Sequence, residues 1–248
     1  MDAIAVAGLT KRYGEVLAVN AIDFTVRQGS FTALLGGNGA GKTTTIAMLL
    51  GLVRPTSGRI AILGEDFMRH TKTLLARMNF QSPYADLPRR LTVRQNLTVY
   101  AKLYGVRKPK DAIAELAQAL DLKTLLDRPL GELSAGQRTR AGLAKAFINR
   151  PALVLLDEPT ASLDPDTADR VRAFLARYAR EAHATFLIAS HNMLEVERLC
   201  DCVLMMREGA IVDRGAPKAL IAKYGRTNLE DVFLDVARHG ARAESVAP

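Results

Sequence analysis

The sequence predicts an α/β fold with a parallel β-sheet. Short runs of apolar, often β-branched residues alternate along the chain with segments of helical periodicity, and this alternation is typical of parallel sheets. A run in which Ile22, Phe24 and Val26 alternate with polar residues predicts a half-buried, antiparallel strand. Three other runs are apolar throughout, as expected for strands covered on both faces: Phe31 to Leu35, Leu153 to Leu156 and Phe186 to Ala189.

The middle of the chain, roughly residues 82–150, shows no strand signal and predicts a helical subdomain inserted between strands. Thr92 followed by Gln95 is a capping-box pattern, in which two side chains satisfy backbone N–H groups at the start of a helix. Pro109 favours the first position of another helix, because its missing N–H group costs nothing there. The apolar face of that helix is expected to comprise Ile113, Leu116, Ala117 and Leu120.

The end of the chain predicts one more short helix after Gly225. Its apolar face is expected to comprise Leu229, Val232, Phe233 and Val236. We therefore expect a single domain over residues 1–240 and a disordered tail over residues 241–248.

Composition excludes several classes of protein. Of the 248 residues, 48% are hydrophobic and 24% are charged, which is ordinary for a globular protein. No apolar run approaches the length of about 18 residues that spans a bilayer, and the N-terminus lacks the pattern of a signal peptide. Cys200 and Cys202 are too few for a disulfide framework and lack the second pair of a zinc site. We expect a cytosolic protein, unless a partner holds it at a membrane.

The net charge of +8 comes from 34 basic and 26 acidic residues, which are dispersed along the chain. Such a charge is compatible with nucleic acid, an anionic membrane surface or phosphate ligands. Because no basic run stands out, the charge selects none of these partners.

A glycine-rich segment between a predicted strand and a predicted helix has the pattern of a phosphate-binding loop. Residues 36–43 read GGNGAGKT, which fits G-x-x-x-x-G-K-[ST]. Glycines let backbone N–H groups approach phosphates, and the helix N-terminus adds unpaired donors and a favourable dipole. In this pattern Lys42 contacts the β- and γ-phosphates of the nucleotide, and Thr43 binds Mg²⁺. The candidate nucleotide-binding residues of the loop are Gly36, Gly37, Asn38, Gly39, Ala40, Gly41, Lys42, Thr43 and Thr44.

Two acidic residues follow another predicted strand. Asp157 ends the apolar run Leu153 to Leu156 and is the expected Mg²⁺ ligand, since such NTPases place a carboxylate on the metal at the end of a buried strand. Glu158 comes next and is placed to accept a proton from an attacking water. A phosphate loop with these two acids predicts an NTPase, but many NTPase classes remain open at this point.

The segment Leu133-Ser134-Ala135-Gly136-Gln137 narrows the class, because it resembles the signature motif L-S-G-G-Q of ABC ATPases. Ser134 followed by Gln137 is also a capping-box pattern, so the segment predicts a second helix N-terminus that can bind phosphate. Ala135 replaces the first glycine of the motif. We expect it to fit the first turn of a normal helix, where no positive φ is needed.

Further elements stand in the order typical of ABC ATPases, and the resemblance implies their roles. Tyr13 lies where an aromatic residue stacks on adenine, and Gln81 lies where the Q-loop begins and contacts Mg²⁺. Ser162-Leu163-Asp164 resembles the D-loop, and His191 lies where the switch histidine contacts the γ-phosphate. Gly37 stands where many members have proline. The implied catalytic residues are Glu158, His191 and Gln81, and the implied metal ligands are Thr43, Gln81 and Asp157.

The resemblance covers nearly the whole chain and implies an ATP-hydrolysing subunit with ATP and Mg²⁺ as cofactors. ABC ATPases share a P-loop NTPase core with a parallel sheet, an antiparallel β-subdomain and a helical subdomain that carries the signature. Two copies pair head to tail, which implies a homodimer of this chain, and each ATP is held between the phosphate loop of one and the signature of the other. A separate integral-membrane permease is implied, with this subunit on the inner face of the cell membrane.

Two segments resemble the ATPases of exporters of drugs, polysaccharides and lipo-oligosaccharides, namely Asn228 to Leu234 and Leu87 to Leu103. Export is therefore favoured over import. The alternative is a soluble ABC ATPase that acts on nucleic acid, a ribosome or an assembly machinery. Because the chain has one cassette and no heptad run, we expect no nucleic-acid partner. The cargo stays open, because the permease selects it.

Overall fold

The computed structural model describes residues 1–83 and 87–239. The chain divides into two compact units, a first unit of Met1–Thr71 and Leu187–Pro248 and a second unit of Lys72–Phe186. The strands are β1 Asp2–Tyr13, β2 Val16–Arg27, β3 Phe31–Gly36, β4 Ser57–Ile62, β5 Glu65–Asp66, β6 Met78–Gln81, β7 Leu153–Asp157, β8 Thr185–Ala189, β9 Cys202–Arg207 and β10 Ala210–Gly215. The α-helices are α1 Lys42–Leu49, α2 Phe67–Leu75, α3 Val93–Leu103, α4 Pro109–Ala119, α5 Ala135–Phe147, α6 Pro165–Ala182, α7 Met193–Leu199, α8 Pro217–Tyr224 and α9 Leu229–His239.

The first unit contains a four-stranded antiparallel sheet with the order β2-β1-β4-β5. The predicted half-buried strand lies within β2, which pairs with β1 in an antiparallel register that places Val6 opposite Phe24. Ile22, Phe24 and Val26 are buried, whereas the residues between them are exposed. The alternating pattern therefore predicted both the strand and the face that it buries.

Parallel pairing is present in both units, as the fold class predicts. In the first unit, β3 pairs in parallel with β9, and β9 pairs with β10 in an antiparallel register. In the second unit, β6 pairs in parallel with β7. All six residues of β3 are buried, and so are the apolar residues of β7 and all of β8, which explains why these runs lack polar alternation.

The described part of residues 82–150 is helical. It contains α3, α4, α5 and two short 3₁₀ helices, and its strand-like feature among the described residues is one bridge between Thr92 and Pro129. Both hydrogen bonds of the first capping box are formed, from Gln95 N to Thr92 Oγ1 (3.1 Å) and from Thr92 N to Gln95 Oε1 (2.9 Å). α4 begins at Pro109, and the predicted apolar residues Ile113, Leu116, Ala117 and Leu120 are buried.

The predicted C-terminal helix is α9. It buries Leu229, Val232 and Val236, and Phe233 is half-buried. The predicted tail, residues 241–248, lies outside the described residues, and the assignment of residues 1–240 to one domain stays a prediction.

The described helices are short or polar. None of them combines the length and the apolar character that crossing a bilayer requires. Both cysteines are free thiols, and burial raises the pKa of Cys200, so this thiol resists ionisation.

Candidate functional site

The phosphate loop lies in the first unit, between the end of β3 and the start of α1, as predicted. Gly39 and Gly41 have φ of 77° and 102°, values that residues with a side chain rarely adopt. A Cβ on Gly41 would lie 2.6 Å from the carbonyl oxygen of Ala18, and a Cβ on Gly36 would lie 2.6 Å from that of Met206. Glycine is therefore required at these positions by backbone conformation or by close approach.

Gly37 differs from the other glycines of the loop. A Cβ on Gly37 would have no atom within 4 Å among the described residues, and its φ is not positive. The loop conformation therefore does not demand glycine at this position.

The N-terminus of α1 is suited to a polyphosphate. Its N-cap is Gly41, no side chain among the described residues caps it, and its first turn carries no acidic residue. Backbone N–H groups at such a helix start are donors for an anion. Lys42 Nζ donates to the carbonyl oxygens of Gly36 (2.6 Å) and Gly37 (3.0 Å), which holds the ammonium group along the loop. Backbone amides, an ammonium group and the hydroxyls of Thr43 and Thr44 form a donor set that fits ATP.

Tyr13 and His191 also lie in the first unit. Tyr13 ends β1 and is 47% exposed, and Lys11 Nζ lies 4.8 Å from the centroid of its ring. The Lys11 ammonium therefore makes a cation–π contact that the sequence analysis did not predict. His191 is exposed and follows β8 by two residues, in the short connection to α7.

The acidic residues and the Q-loop glutamine lie in the second unit, at the ends of two paired strands. β6 ends at Gln81 and β7 ends at Asp157, with Gln81 opposite Leu156. Ser82 Oγ donates to Asp157 Oδ2 over 3.3 Å, so Ser82 orients the expected metal ligand. Sequence reasoning missed Ser82, because only the pairing of β6 with β7 reveals this contact.

Glu158 directly follows β7 and has φ of 49°. A non-glycine residue in this left-handed region costs about 1–2 kcal/mol, and such residues are found at functional sites more often than elsewhere. The turn continues with a hydrogen bond from Ala161 N to the carbonyl oxygen of Glu158. Glu158 is half-buried at this strained position.

The side chain of Gln81 is packed against α5. It is 5% exposed, and its Nε2 donates to the carbonyl oxygen of Ser82 (3.0 Å). A Cβ on Gly142 of α5 would clash with the side-chain amide of Gln81, so glycine makes room for the glutamine. Lys145 Nζ donates to the carbonyl oxygen of Phe80 (3.1 Å), and burial lowers the pKa of Lys145. The signature helix is therefore bound directly to the start of the Q-loop.

The signature segment forms the predicted capped helix start. Gln137 N donates to Ser134 Oγ (3.2 Å), and Ser134 N donates to Gln137 Oε1 (2.9 Å). Ala135 is the first residue of α5 and has no positive φ, as predicted. A Cβ on Gly136 would lie 2.9 Å from the carbonyl oxygen of Ser162, so the D-loop packs on this helix start.

The D-loop ends at Asp164, which is the N-cap of α6. Asp164 Oδ1 accepts a hydrogen bond from Thr167 N (3.0 Å), and this backbone bond lowers the pKa of Asp164. Asp164 therefore stays ionised and fixes where the loop joins the helix. The two preceding D-loop residues, Ser162 and Leu163, face the start of α5 at Gly136.

The sequence model of the ABC transporter family matches residues 19–161, more than half of the chain. This chain belongs to the ABC transporter family. ABC transporter ATP-binding domains bind and hydrolyse ATP, so the predicted ATPase activity and the predicted fold are both confirmed.

Two curated ABC proteins and one solved structure define the similarity. The chain is 39% identical over 227 residues to the bacitracin transport ATP-binding protein BcrA of Bacillus licheniformis, covering 92% of this chain and 74% of that protein. It is 37% identical over 237 residues to the Nod factor export ATP-binding protein I of Rhizobium sp. (strain N33), covering 93% and 76%. Among solved structures, an ATP-binding subunit of an ABC transporter superposes with a TM-score of 0.86 at 24% identity, covering 95% of this chain and 100% of that one.

Proposed function

We propose that this chain is the ATPase subunit of a membrane exporter and drives a separate integral-membrane permease through ATP-dependent closure of a dimer. The observation that carries the proposal is one chain with a phosphate loop, two strand-end acids and a signature helix start. The exporter role is supported by 37–39% identity to ATP-binding proteins of bacitracin transport and Nod factor export.

We assign the first unit the task of holding the nucleotide. The amides of residues 36–44 and the Lys42 ammonium bind the β- and γ-phosphates, where the ammonium offsets the charge of the oxygens. Tyr13 stacks on adenine, and Lys11 above its ring adds a positive charge beside the base. His191 contacts the γ-phosphate.

We assign two further tasks, the activation of water and the binding of the metal ion. Thr43, Gln81 and Asp157 would hold Mg²⁺, which neutralises phosphate charge when bound. A hydroxyl, an amide and one carboxylate fit this ion, because Mg²⁺ bound to ATP takes most of its ligands from phosphates and water. Among the described residues, no group of three or more His, Cys, Asp or Glu could hold a metal ion. Glu158 accepts the proton of the attacking water.

Two candidate phosphate-binding helix starts support a dimer. We assign such a site to the starts of α1 and α5, but Lys42 is the lysine of the only phosphate-loop pattern in the sequence. We infer that the α5 start binds the ATP of a second copy of this chain. Each chain then contributes to two nucleotide sites, and ATP closes the pair.

The Glu158→Gln protein is expected to dimerise when ATP is added, because the bridging nucleotide is not consumed. Adding Ser134→Arg is expected to abolish this dimer through steric conflict and loss of the hydroxyl at the phosphate of the partner. Each monomer should still bind ATP, since its own phosphate loop is intact. Size-exclusion chromatography with and without ATP and a nucleotide titration measure both outcomes.

Thr92→Arg in the same Glu158→Gln background is the matched control. It removes a second capping box, worth about 1 kcal/mol like that of Ser134, at the start of α3 rather than of α5. This control should dimerise with ATP. If the Ser134→Arg protein also dimerises, or loses ATP binding as a monomer, the signature does not act on the nucleotide of a partner.

We expect the chain to reach the membrane only through its permease. Its charge of +8 should give weak binding to anionic lipid vesicles that is lost as salt is raised, because surface charges are screened over about 10 Å at 0.1 M salt. Affinity capture from a detergent extract should yield a polytopic membrane protein. Membrane fractions from cells with and without that protein then measure retention of this chain.

Two outcomes would contradict the exporter assignment. One is unchanged membrane retention in cells that lack the captured protein, measured after a wash in high salt. The other is capture of ribosomes or nucleic acid in place of a membrane protein, which would instead support a soluble ABC ATPase.

A further inference from the structure

The residues on either side of His191 are joined to α7 by a closed set of hydrogen bonds. Ser190 Oγ donates to Glu195 Oε2 over 2.8 Å and accepts from Asn192 N over 3.1 Å. Asn192 Oδ1 accepts from Glu195 N over 3.1 Å and thereby caps α7. His191 lies between Ser190 and Asn192, so these hydrogen bonds fix the backbone that carries the imidazole.

Two of the residues in this hydrogen-bonded set are shielded from water. Ser190 and Glu195 are each 1% exposed, whereas the histidine between Ser190 and Asn192 is exposed. Acidic side chains are rarely buried to this degree unless they have hydrogen-bond partners, and a buried hydrogen bond to a carboxylate is strong and directional. The exposed His191 is therefore carried on a buried, polar support.

A second acidic residue of α7 has a different contact. Glu197 Oε1 accepts a hydrogen bond from Leu229 N over 2.6 Å, at the start of α9. This bond attaches α7 to the C-terminal helix and does not involve residues 190–192. Glu195 and Glu197 therefore separate two roles on one helix, support of the histidine segment and attachment of α9.

We propose that Glu195, acting through Ser190, is a positioning residue for His191. The proposal rests on the proposed function, in which His191 contacts the γ-phosphate. Loss of these hydrogen bonds frees residues 190–192 to rotate. A displacement of about 1 Å at a reacting group costs on the order of 100-fold in rate. Because the phosphate loop still binds ATP, the loss should fall on kcat rather than on KM.

Kinetics of four variants test the proposal. Ser190→Ala deletes the donor of the hydrogen bond between Ser190 and Glu195, and Glu195→Ala deletes its acceptor. Each variant is expected to lower kcat by about 10- to 100-fold, with the KM for ATP changed by less than about 2-fold. His191→Ala should lower kcat at least as much. The control Glu197→Ala, which loses its bond to Leu229, should lower the melting temperature while kcat stays within about 2-fold of the original.

A spectroscopic readout separates positioning from general stabilisation. The chain has four histidines, so their ring Cε1–H signals can be resolved by ¹H–¹³C NMR, and the signal that His191→Ala removes is that of His191. Ser190→Ala and Glu195→Ala should shift or broaden this signal, and Glu197→Ala should not. A double variant, Ser190→Ala with His191→Ala, should turn over ATP within about 2-fold of His191→Ala alone, since both changes act through one side chain.

The outcomes distinguish the two hypotheses. The positioning role is overturned, and the proposed function stands, if His191→Ala is impaired but Ser190→Ala leaves kcat and the His191 signal unchanged. The same conclusion follows if, in the double variant, Ser190→Ala adds its full loss of kcat to that of His191→Ala. If His191→Ala turns over ATP normally, the assigned role of His191 is wrong and the positioning proposal falls with it. If Glu195→Ala does not fold, Ser190→Ala alone decides, because it only removes an atom from the same bond.

Discussion

Replacing Lys42 by alanine is expected to lower ATP turnover by about 10²- to 10³-fold, the usual effect of removing a group that stabilises transition-state charge. Lys42 is the one cationic residue in residues 36–44, and its Nζ also donates to the carbonyl oxygens of Gly36 and Gly37. The variant therefore loses the charge that we propose faces the phosphates, and a contact that shapes the loop. Nucleotide titration and the ATPase rate of purified protein measure the two effects.

Lys110→Ala is the matched control for this change. Lys110 is an exposed lysine in the first turn of α4, just as Lys42 lies in the first turn of α1. Its removal should leave nucleotide affinity and turnover within about 2-fold of the original, as for most surface substitutions. Near-normal values for Lys42→Ala itself would remove the phosphate-loop assignment.

Replacing Glu158 by glutamine is expected to preserve ATP binding while turnover falls about 10²- to 10⁴-fold, the range associated with a general base. Glutamine has almost the same shape as glutamate and bears the same cost at φ of 49°, so the turn after β7 should persist. It cannot accept a proton from water as a carboxylate does. Single-turnover hydrolysis and nucleotide titration separate the two effects.

Glu208 offers a close control for Glu158. It too directly follows a strand, β9, and has φ of 49°, but its side chain is 82% exposed. Glu208→Gln should leave turnover near the original value. Original turnover in Glu158→Gln would instead place the base elsewhere, and His191 would be the next residue to test.

Local chemistry made much of this structure predictable from the sequence. The two capping boxes, at Thr92 and Ser134, and Pro109 at the start of α4 act within four residues, so short patterns report them directly. The buried strands could be predicted equally well. Side chains in a pleated strand alternate between its two faces, and a strand that is covered on both faces is apolar throughout.

The candidate site could be predicted in its parts for the same reason. The phosphate loop is a continuous segment, and glycine is required at Gly36, Gly39 and Gly41 by their own φ values or by neighbouring carbonyl oxygens. Asp157 is the last residue of β7 and Glu158 directly follows it, so one apolar run in the sequence locates both. The two departures from the family pattern also fit their local surroundings, since a Cβ on Gly37 would meet no described atom within 4 Å and Ala135 lies in an ordinary helix turn.

Pairing and packing between distant residues were decided by the tertiary structure. The parallel register of β3 with β9 joins segments about 170 residues apart, which no local period encodes. The hydrogen bond of Ser82 to Asp157 and the space that Gly142 leaves for Gln81 depend on where β6 lies relative to β7 and α5. Sequence patterns predict that a segment has a helix cap, a buried face or a turn. The distant residues that a segment contacts are decided only when the core forms and brings those chain segments together.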